Sequence, residues 1–141
     1  MSTEENKRIA RRFIEESFGQ GKFHLLDEIL ADDYLDHDAP PGTPPGREGM
    51  KYIKAAYRSA FPDLQFTIED QIAEGDKVTT RWTFRGTHTG ELFGIPPTGK
   101  KVVMPGISIY RIADARMQEA WVRYDLLGMM QQLGVVSMPG Q

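Results

Sequence analysis

The chain has 141 residues, which fits one domain and is long enough to bury about two-thirds of its unfolded surface. Its 17 basic and 20 acidic residues give a net charge of -3, and it lacks a basic stripe interleaved with aromatic residues, so we expect no nucleic acid partner. The absence of cysteine excludes disulfides, thiolate metal ligands and a cysteine nucleophile.

The N-terminal sequence MSTEENKRIARRF lacks the apolar segment of a signal peptide. No apolar run of the chain approaches the roughly 20 residues that a membrane span requires. We therefore expect a soluble, cytoplasmic protein that forms a single domain over residues 1–141 and has no membrane partner.

The N-terminal part of the chain is predicted to be helical. Ser2 and Glu5 form a capping-box pattern, and apolar residues at roughly helical spacing continue from there to about Phe18. Two glycines directly after Phe18 are expected to end this helix. Apolar pairs at i, i+4 predict a second, shorter helix over residues 25–30.

A proline-rich segment interrupts the helical pattern. Residues 32–49 contain four prolines, which forbid a regular element over most of the segment, so we expect a loop there. The loop is too long to be a plain connector. A third helix is predicted over residues 50–61 and ends at Pro62.

After Pro62 the apolar period changes to two, which predicts strands. Two such runs separated by Glu74-Gly75-Asp76 predict a hairpin, and Pro105-Gly106 predicts a bulge or an edge kink in the next strand. A last strand over residues 117–125 is followed by a short helix over residues 126–133. Helices first and a meander of strands afterwards indicate an α+β fold, with helices packed on one face of a curved antiparallel sheet.

The last predicted strand ends in an unusually apolar neighbourhood at Asp125. Side-chain alternation places five of its residues on one face: Met117, Glu119, Trp121, Arg123 and Asp125. If this face is exposed to solvent, Asp125 is the N-cap of the following helix, a position that Asp fills well. If the face lines a pocket, apolar surroundings would raise the pKa of Asp125 and suit it to proton transfer.

Three histidines are present. His24 lies in the second predicted helix and is interpreted as a surface or packing residue. His37, within Asp36-His37-Asp38, and His88, within Gly-Thr-His-Thr-Gly, lie in loops, which carry function more often than cores do. No H-x-E, H-x-x-x-H or H-E-x-x-H spacing and no phosphate-binding glycine loop occurs, so neither a metal nor a nucleotide cofactor is predicted.

Three stretches of the chain carry a family resemblance: PPGREGMKYIKAAYRSAFPDLQFTIEDQIAEGDKV, RWTFRGTHTGELFGIPPTGKKV and EAWVRYDLLGMMQQLG. These stretches, in this order, resemble the SnoaL-like polyketide cyclases, or ester cyclases, of the nuclear transport factor two-like superfamily. The resemblance extends over nearly the whole chain, from the first helix to Gly134. The resemblance implies a cone-shaped, curved antiparallel sheet with helices packed on its concave side, enclosing a deep and mainly apolar pocket. It also implies an enzyme without cofactor or metal, and it favours a homodimer.

The resemblance assigns roles to three residues. In characterised members a single Asp at the end of the last long strand is the general acid/base of an intramolecular aldol condensation, and Asp125 matches that position. His37 and His88 match two family histidines that lie near the pocket and orient substrate oxygens. Many relatives have His-Asn-Pro and Glu-His-Trp where this chain has His37-Asp38-Ala39 and Glu119-Ala120-Trp121, which changes the polar lining and therefore the substrate.

Substrate binding is predicted for six residues: Trp82, Trp121, Phe84, Tyr57, Met104 and Glu119. For most of the apolar ones, an ordinary position in the core is the alternative. We expect a cyclase that acts on a hydrophobic, oxygenated small molecule such as a polyketide ester.

Two other functions stay open at this point. In an epoxide-opening hydrolase, Asp125 would activate water with help from Glu119 or from Asp70 beside Gln71, and an isomerase-like enzyme is a further alternative. In a non-catalytic binding or association module, the pocket would be inert.

Overall fold

A computed structural model describes residues 2–137 of the chain. Its helical segments are α1 (Thr3–Arg12), a π-helix (Phe13–Gly19), a 3-10 helix (Phe23–Leu25), α2 (Leu26–Ile29), α3 (Gly46–Ala60) and α4 (Leu126–Gln132). Its strands are β1 (Leu30–Asp36), β2 (Gln65–Glu74), β3 (Lys77–Thr87), β4 (Lys101–Ala113) and β5 (Arg116–Tyr124). Within the described residues, no helix has the length and apolar character needed to cross a membrane.

The first helix begins as the sequence predicts and ends differently. The Ser2 hydroxyl accepts a hydrogen bond from the Glu5 amide at 3.1 Å, which caps α1. The prediction of one α-helix to about Phe18 is wrong in its second half, because the chain continues from Arg12 as a π-helix. A π-helix pairs each amide with the carbonyl five residues earlier and is frequent at functional sites.

The segment before the prolines is a strand, which corrects the predicted loop over residues 32–49. The prolines begin only at Pro40, so nothing prevents the preceding residues from being extended, and Leu30 and Tyr34 are buried. β1 pairs with β5 in parallel, so the sheet is not purely antiparallel. α3 also begins earlier than predicted, directly after Pro45, because the first residues of a helix tolerate the missing amide of proline.

The sheet has the strand order β1-β5-β4-β3-β2, and all neighbours except β1 and β5 are antiparallel. The predicted hairpin between β2 and β3 is confirmed. The bulge predicted at Pro105-Gly106 is wrong, because the β3–β4 register runs through it without a break. Gly106 is needed instead for a close approach, since a Cβ at this position would lie 2.2 Å from the Trp82 indole.

The predicted α+β class is confirmed, with the helices on the inner face of the sheet and the core between them. β4 shows how the strands serve this arrangement, because its side chains alternate between buried and exposed along its first ten residues. Its inward side chains include Met104, Ser108 and Tyr110, all almost fully buried. This inner face forms one wall of the pocket.

The outer face of the sheet carries an exposed apolar strip from β4. Val103, Ile107 and Ile109 are 48%, 47% and 37% exposed, and Trp121 of β5 lies beside Ile109. Apolar strips of this kind are common at protein interfaces. The homodimer stays a prediction, and this strip is the surface that it would bury.

We expect wild-type protein to elute as a dimer and the Ile107→Lys variant as a monomer, because a lysine at the centre of the strip would be desolvated by a partner. Size-exclusion chromatography with light scattering measures both masses. Leu127→Lys is a matched control, since Leu127 is 57% exposed but lies on α4. A monomeric wild type at tens of micromolar would contradict the expected dimer.

Candidate functional site

An apolar pocket lies between the helical layer and the inner face of the sheet, with a cavity volume of about 100 Å³. This volume has room for about seven to ten water-sized groups. Its apolar wall comes from the π-helix, α3, strands β2 to β5 and the proline-rich loop: Phe13, Ile14, Phe18, Pro40, Met50, Ile53, Phe66, Trp82, Phe84, Met104 and Val122. Polar groups come from six further residues: Asp36, Asp38, Tyr57, Ser108, Tyr110 and Tyr124.

The end of β1 supplies both carboxylates of the pocket. Asp36 is its last residue and Asp38 follows two positions later, so both side chains point to the same face. The His37 amide between them donates to the Ala120 carbonyl at 3.0 Å, which continues the pairing with β5 past the end of the strand. This pairing fixes the direction in which both carboxylates point.

Asp38 is held as a paired carboxylate. It accepts a hydrogen bond from the Val122 amide at 2.7 Å and forms an ion pair with Arg123. The hydrogen bond from the Val122 amide, followed by the Arg123 guanidinium, lowers the pKa of Asp38. Asp38 therefore stays ionised, and its role is to fasten the segment after β1 to β5.

Asp36 has the opposite environment. Its carboxyl group is partly buried, and within residues 2–137 no cation lies within ion-pair distance of it. Burial raises the pKa of Asp36, against the effect of one hydrogen bond from the Asp38 amide at 2.9 Å. Neighbouring carboxyl groups whose pKa values are pushed apart are typical of acid/base sites.

Hydroxyl groups of β4 face the same pocket. The Trp82 indole Nε1–H donates to the Ser108 Oγ at 2.9 Å, and Ser108 in turn forms a hydrogen bond with the Tyr110 hydroxyl. Tyr110 lies two residues further along the inner face, and burial raises the pKa of its hydroxyl, which therefore keeps its proton. Burial and a hydrogen bond with Tyr124 similarly raise the pKa of Tyr57.

Of the two alternatives for Asp125, the structure shows the helix cap, and Asp125 does not line the pocket. Its side chain is exposed and accepts a hydrogen bond from the Gly128 amide at 2.9 Å, as the N-cap of α4. The inward positions of β5 are Ala120, Val122 and Tyr124. The geometry therefore supports the cap interpretation of Asp125 and gives no support to the predicted catalytic role.

His37, Glu119 and Trp121 lie together on the outer face of the sheet, which corrects their predicted place at the pocket. The His37 ring stacks on the Trp121 indole at 4.6 Å between centroids, and its Nε2 is 2.8 Å from the Glu119 carboxylate. Arg111 donates to the other Glu119 oxygen at 2.8 Å. The His37 hydrogen bond and the Arg111 guanidinium lower the pKa of Glu119. Trp121 and Glu119 therefore do not line the pocket.

His88 is fully buried beside Phe61, outside the pocket lining. Its Nδ1 accepts from the Thr98 amide at 3.2 Å, which places the ring proton on Nε2, and Nε2 has no partner within residues 2–137. The His88 backbone also pairs with Lys100 and Gly99. His88 therefore organises the loop between β3 and β4, and the structure does not bring it to the carboxylates.

The remaining predicted substrate-binding residues do line the pocket: Trp82, Phe84, Tyr57 and Met104. Their role in binding stays a prediction. Asp70 and Gln71, considered for an epoxide-opening reaction, lie in an open groove beside α1 instead. The sequence did not lead us to predict Asp36, Ser108 or Tyr110 as pocket residues. The alternation of side chains along β4 was a usable signal for Ser108 and Tyr110, which lie on its inward face.

The similarity of this chain to known proteins extends over the same elements. Residues 8–133 match the family model described as SnoaL-like polyketide cyclase. The aklanonic acid methyl ester cyclase DnrD of Streptomyces peucetius is 28% identical over 129 residues, which cover 89% of this chain and 88% of that protein. The nogalonic acid methyl ester cyclase of Streptomyces nogalater is 24% identical over 123 residues, which cover 84% and 90%.

A solved structure is similar over almost the whole chain. TsrD from Streptomyces laurentii superposes with a TM-score of 0.88 at 30% sequence identity, and the match covers 96% of this chain and 99% of that one. Every strand and helix that forms the pocket falls within the residues matched by the family model.

Proposed function

The chain belongs to the SnoaL-like polyketide cyclases, enzymes of the cyclase type, and from this premise we propose that it closes a ring in a hydrophobic, oxygenated small molecule by acid/base chemistry without a cofactor. One observation carries the proposal: Asp36 brings an unpaired, partly buried carboxyl group with a raised pKa to an apolar pocket. A general base is most effective when its pKa is close to the working pH, and burial moves Asp36 in that direction.

The proposed reaction is an intramolecular aldol addition. The Asp36 carboxylate removes a proton from the carbon next to a carbonyl group, and the resulting enolate carbon attacks a second carbonyl within the same molecule. One carbon–carbon bond forms, and the attacked carbonyl oxygen becomes an alkoxide that takes the proton back from Asp36. Substrate and product are isomers, so the reaction needs no oxidant or reductant.

The hydroxyl groups of β4 supply the electrostatic part of this mechanism. The Trp82 indole orients Ser108, which is hydrogen-bonded to Tyr110, and Tyr110 keeps its proton because of burial. Donors that are already oriented stabilise a developing oxyanion without reorganisation during the reaction. We assign Ser108 and Tyr110 to the enolate oxygen.

Asp38 and the apolar wall position the reacting groups. The Asp38 amide donates to Asp36 Oδ1, which leaves Asp36 Oδ2 for the substrate proton. The ion pair with Arg123 keeps this amide in place from the outside of the sheet. The apolar wall would fold a flexible substrate into one conformation, and such positioning can supply several kcal/mol of the rate enhancement.

Polyketide esters are the proposed substrate class, because two relatives are named as cyclases of aklanonic acid methyl ester and nogalonic acid methyl ester. The test incubates the protein with each ester in deuterated water and follows ring closure by chromatography and deuterium uptake by mass spectrometry. We expect a cyclised isomer of the ester, and deuterium at the carbon next to the carbonyl only in substrate whose enolate is reprotonated before the ring closes. Ring closure at the wild-type rate by an Asp36→Asn protein would contradict the proposed mechanism.

Catalytic activity and the contribution of Asp36 to folding stability should change with pH in opposite directions. We expect kcat/KM to fall as the pH decreases through the pKa of Asp36, which lies above the usual value of about 3.9, because the base becomes protonated. A raised pKa favours the neutral carboxyl group in the fold. Its contribution to stability is therefore complete below the pKa of the unfolded chain and is lost as the pH rises through the folded pKa.

Asp36→Asn, which is neutral at every pH, is the matched variant for this prediction. Urea unfolding of both proteins should show equal stability in acid and a more stable Asp36→Asn variant at neutral pH. A stability difference that does not change with pH would show that Asp36 titrates normally.

A further inference from the structure

The π-helix determines which aromatic rings reach the pocket. Phe13 and Phe18 are five residues apart, and both line the pocket together with Ile14. In an α-helix, residues at i and i+5 point in directions well over 90° apart, because each residue turns the chain by about 100°. In a π-helix the wider turn brings them to the same face. The π-helical form is therefore what places Phe18 in the wall beside Phe13.

Lys54 of α3 holds the beginning of the π-helix. Its side chain is fully buried, and its Nζ donates to the Phe13 carbonyl at 2.9 Å and to the Ser17 Oγ at 2.6 Å. The Ser17 hydroxyl also donates to the Phe13 carbonyl, so its oxygen is the acceptor for Lys54. Nζ lies 3.6 Å from the centroid of the Phe13 ring and 4.9 Å from that of Phe18. These are contacts of a donor-only ammonium group.

Arg58 holds the end of the same segment. It lies one turn after Lys54 on α3, and its Nη1 donates to the Phe18 carbonyl at 2.9 Å and to the Gly19 carbonyl at 3.0 Å. These carbonyls belong to the last residues of the π-helix, which lack partners within the helix. Two cations at i and i+4 on one helix therefore contact the two ends of the π-helix.

The position of Lys54 is costly for the fold. Within residues 2–137 no carboxylate pairs with its ammonium group, and burial lowers the pKa of Lys54 well below its usual value. An apolar residue of similar length would fill the same space without this desolvation cost. It would leave no donor unpaired, because Ser17 still donates to the Phe13 carbonyl. Packing alone therefore gives no reason for a lysine here.

We propose that Lys54 is a positioning residue: together with Arg58 it keeps residues 13–19 in the π-helical form and so sets the size of substrate that the pocket accepts. Only the kinetic test of this proposal rests on the proposed function, because the shape of the pocket wall can be measured without turnover. Lys54 does not itself line the pocket and acts through the rings of Phe13 and Phe18, which do.

The decisive variant is Lys54→Met, which keeps the length of the side chain and removes the charge. We expect a crystal structure in which residues 13–19 return to i+4 pairing and the Phe18 ring leaves the pocket wall. We also expect a melting temperature equal to or above that of the wild type, since the desolvated charge is gone. With aklanonic acid methyl ester, KM should change by about tenfold while kcat stays within about threefold, because the Asp36 site is untouched.

Restoration of the amine provides the matched control. The chain has no cysteine, so Lys54→Cys can be alkylated selectively in the unfolded state with 2-bromoethylamine and refolded. This forms a sulfur–carbon bond with loss of bromide and yields a lysine analogue at position 54. We expect it to regain the π-helix and the wild-type KM, whereas untreated Lys54→Cys should not.

Two results would overturn the proposal. One is a Lys54→Met structure with an intact π-helix and Phe18 still in the wall. The other is a variant that loses stability and kcat in proportion, which is the signature of a purely structural lysine. If neither protein turns over the ester, the proposed function fails, while the crystal structure of the variant still decides the role of Lys54.

Discussion

The Asp36→Asn variant is expected to close the ring about 10²- to 10⁴-fold more slowly than the wild type, which is the usual contribution of a general base. Asn keeps the acceptor oxygen for the Asp38 amide, so the geometry at the end of β1 should be preserved. The loss should therefore appear in kcat, and the KM for the substrate should change little. Steady-state kinetics with aklanonic acid methyl ester measures both parameters.

Asp125→Asn is the control for this experiment, because the sequence resemblance favours Asp125 as the base. The structure shows Asp125 as an exposed helix cap, and Asn caps helices about as well as Asp. We expect this variant to retain wild-type turnover and stability. If Asp125→Asn loses turnover while Asp36→Asn keeps it, the base is Asp125, and α4 must open to bring its carboxylate into the pocket.

Strand β5 illustrates what side-chain alternation can establish from sequence. It correctly places Glu119, Trp121 and Arg123 on one face of β5. It is wrong for Met117, which is fully buried because the β4–β5 register shifts between Met117 and Glu119, and it does not say which face is buried. The structure buries the face of Ala120 and Val122 and leaves the charged face outside. Charge was a usable signal, since two charged side chains on one face favour exposure, but the large Trp121 ring and the family match pointed the other way.

The elements that depend on local signals were predictable. The Ser2 cap, the β2–β3 hairpin and the short final helix each follow from a few neighbouring residues, and all three are present. β1 was missed because its three aspartates reduce β-propensity, and its stability comes from parallel pairing with β5, more than 80 residues later. Asp36 could not be assigned to the pocket without this pairing.

The π-helix is an intermediate case. Its sequence signal is the spacing of Phe13 and Phe18, since an i, i+5 step does not fit an α-helical stripe. The reason for the wider turn lies elsewhere in the chain, in the cations that α3 directs at its carbonyls. Long-range side-chain contacts of this kind have no periodic pattern in the sequence.

Ser108→Ala is expected to reduce kcat by about 10²- to 10³-fold, the usual cost of removing an oriented oxyanion donor. The variant removes a hydroxyl group that accepts a hydrogen bond from the Trp82 indole N–H. Because its oxygen faces the indole, the hydroxyl directs its own proton away from that ring. The measured rate should fall with little change in KM, because the donor acts on charge that develops only in the transition state. Tyr110→Phe, which removes the second assigned donor, should show a loss of the same kind.

A double-mutant cycle with Trp82→Phe tests the orientation of Ser108 directly. Phe keeps an aromatic ring in the wall but lacks the indole N–H, so the Ser108 hydroxyl loses the contact that fixes its direction. We expect Trp82→Phe to lower kcat in the wild-type background and to have a much smaller effect on kcat in the Ser108→Ala background. Equal effects in both backgrounds would mean that Trp82 acts only as an apolar wall. Coupled effects would identify Trp82 as the residue that makes a buried serine an electrostatic catalyst.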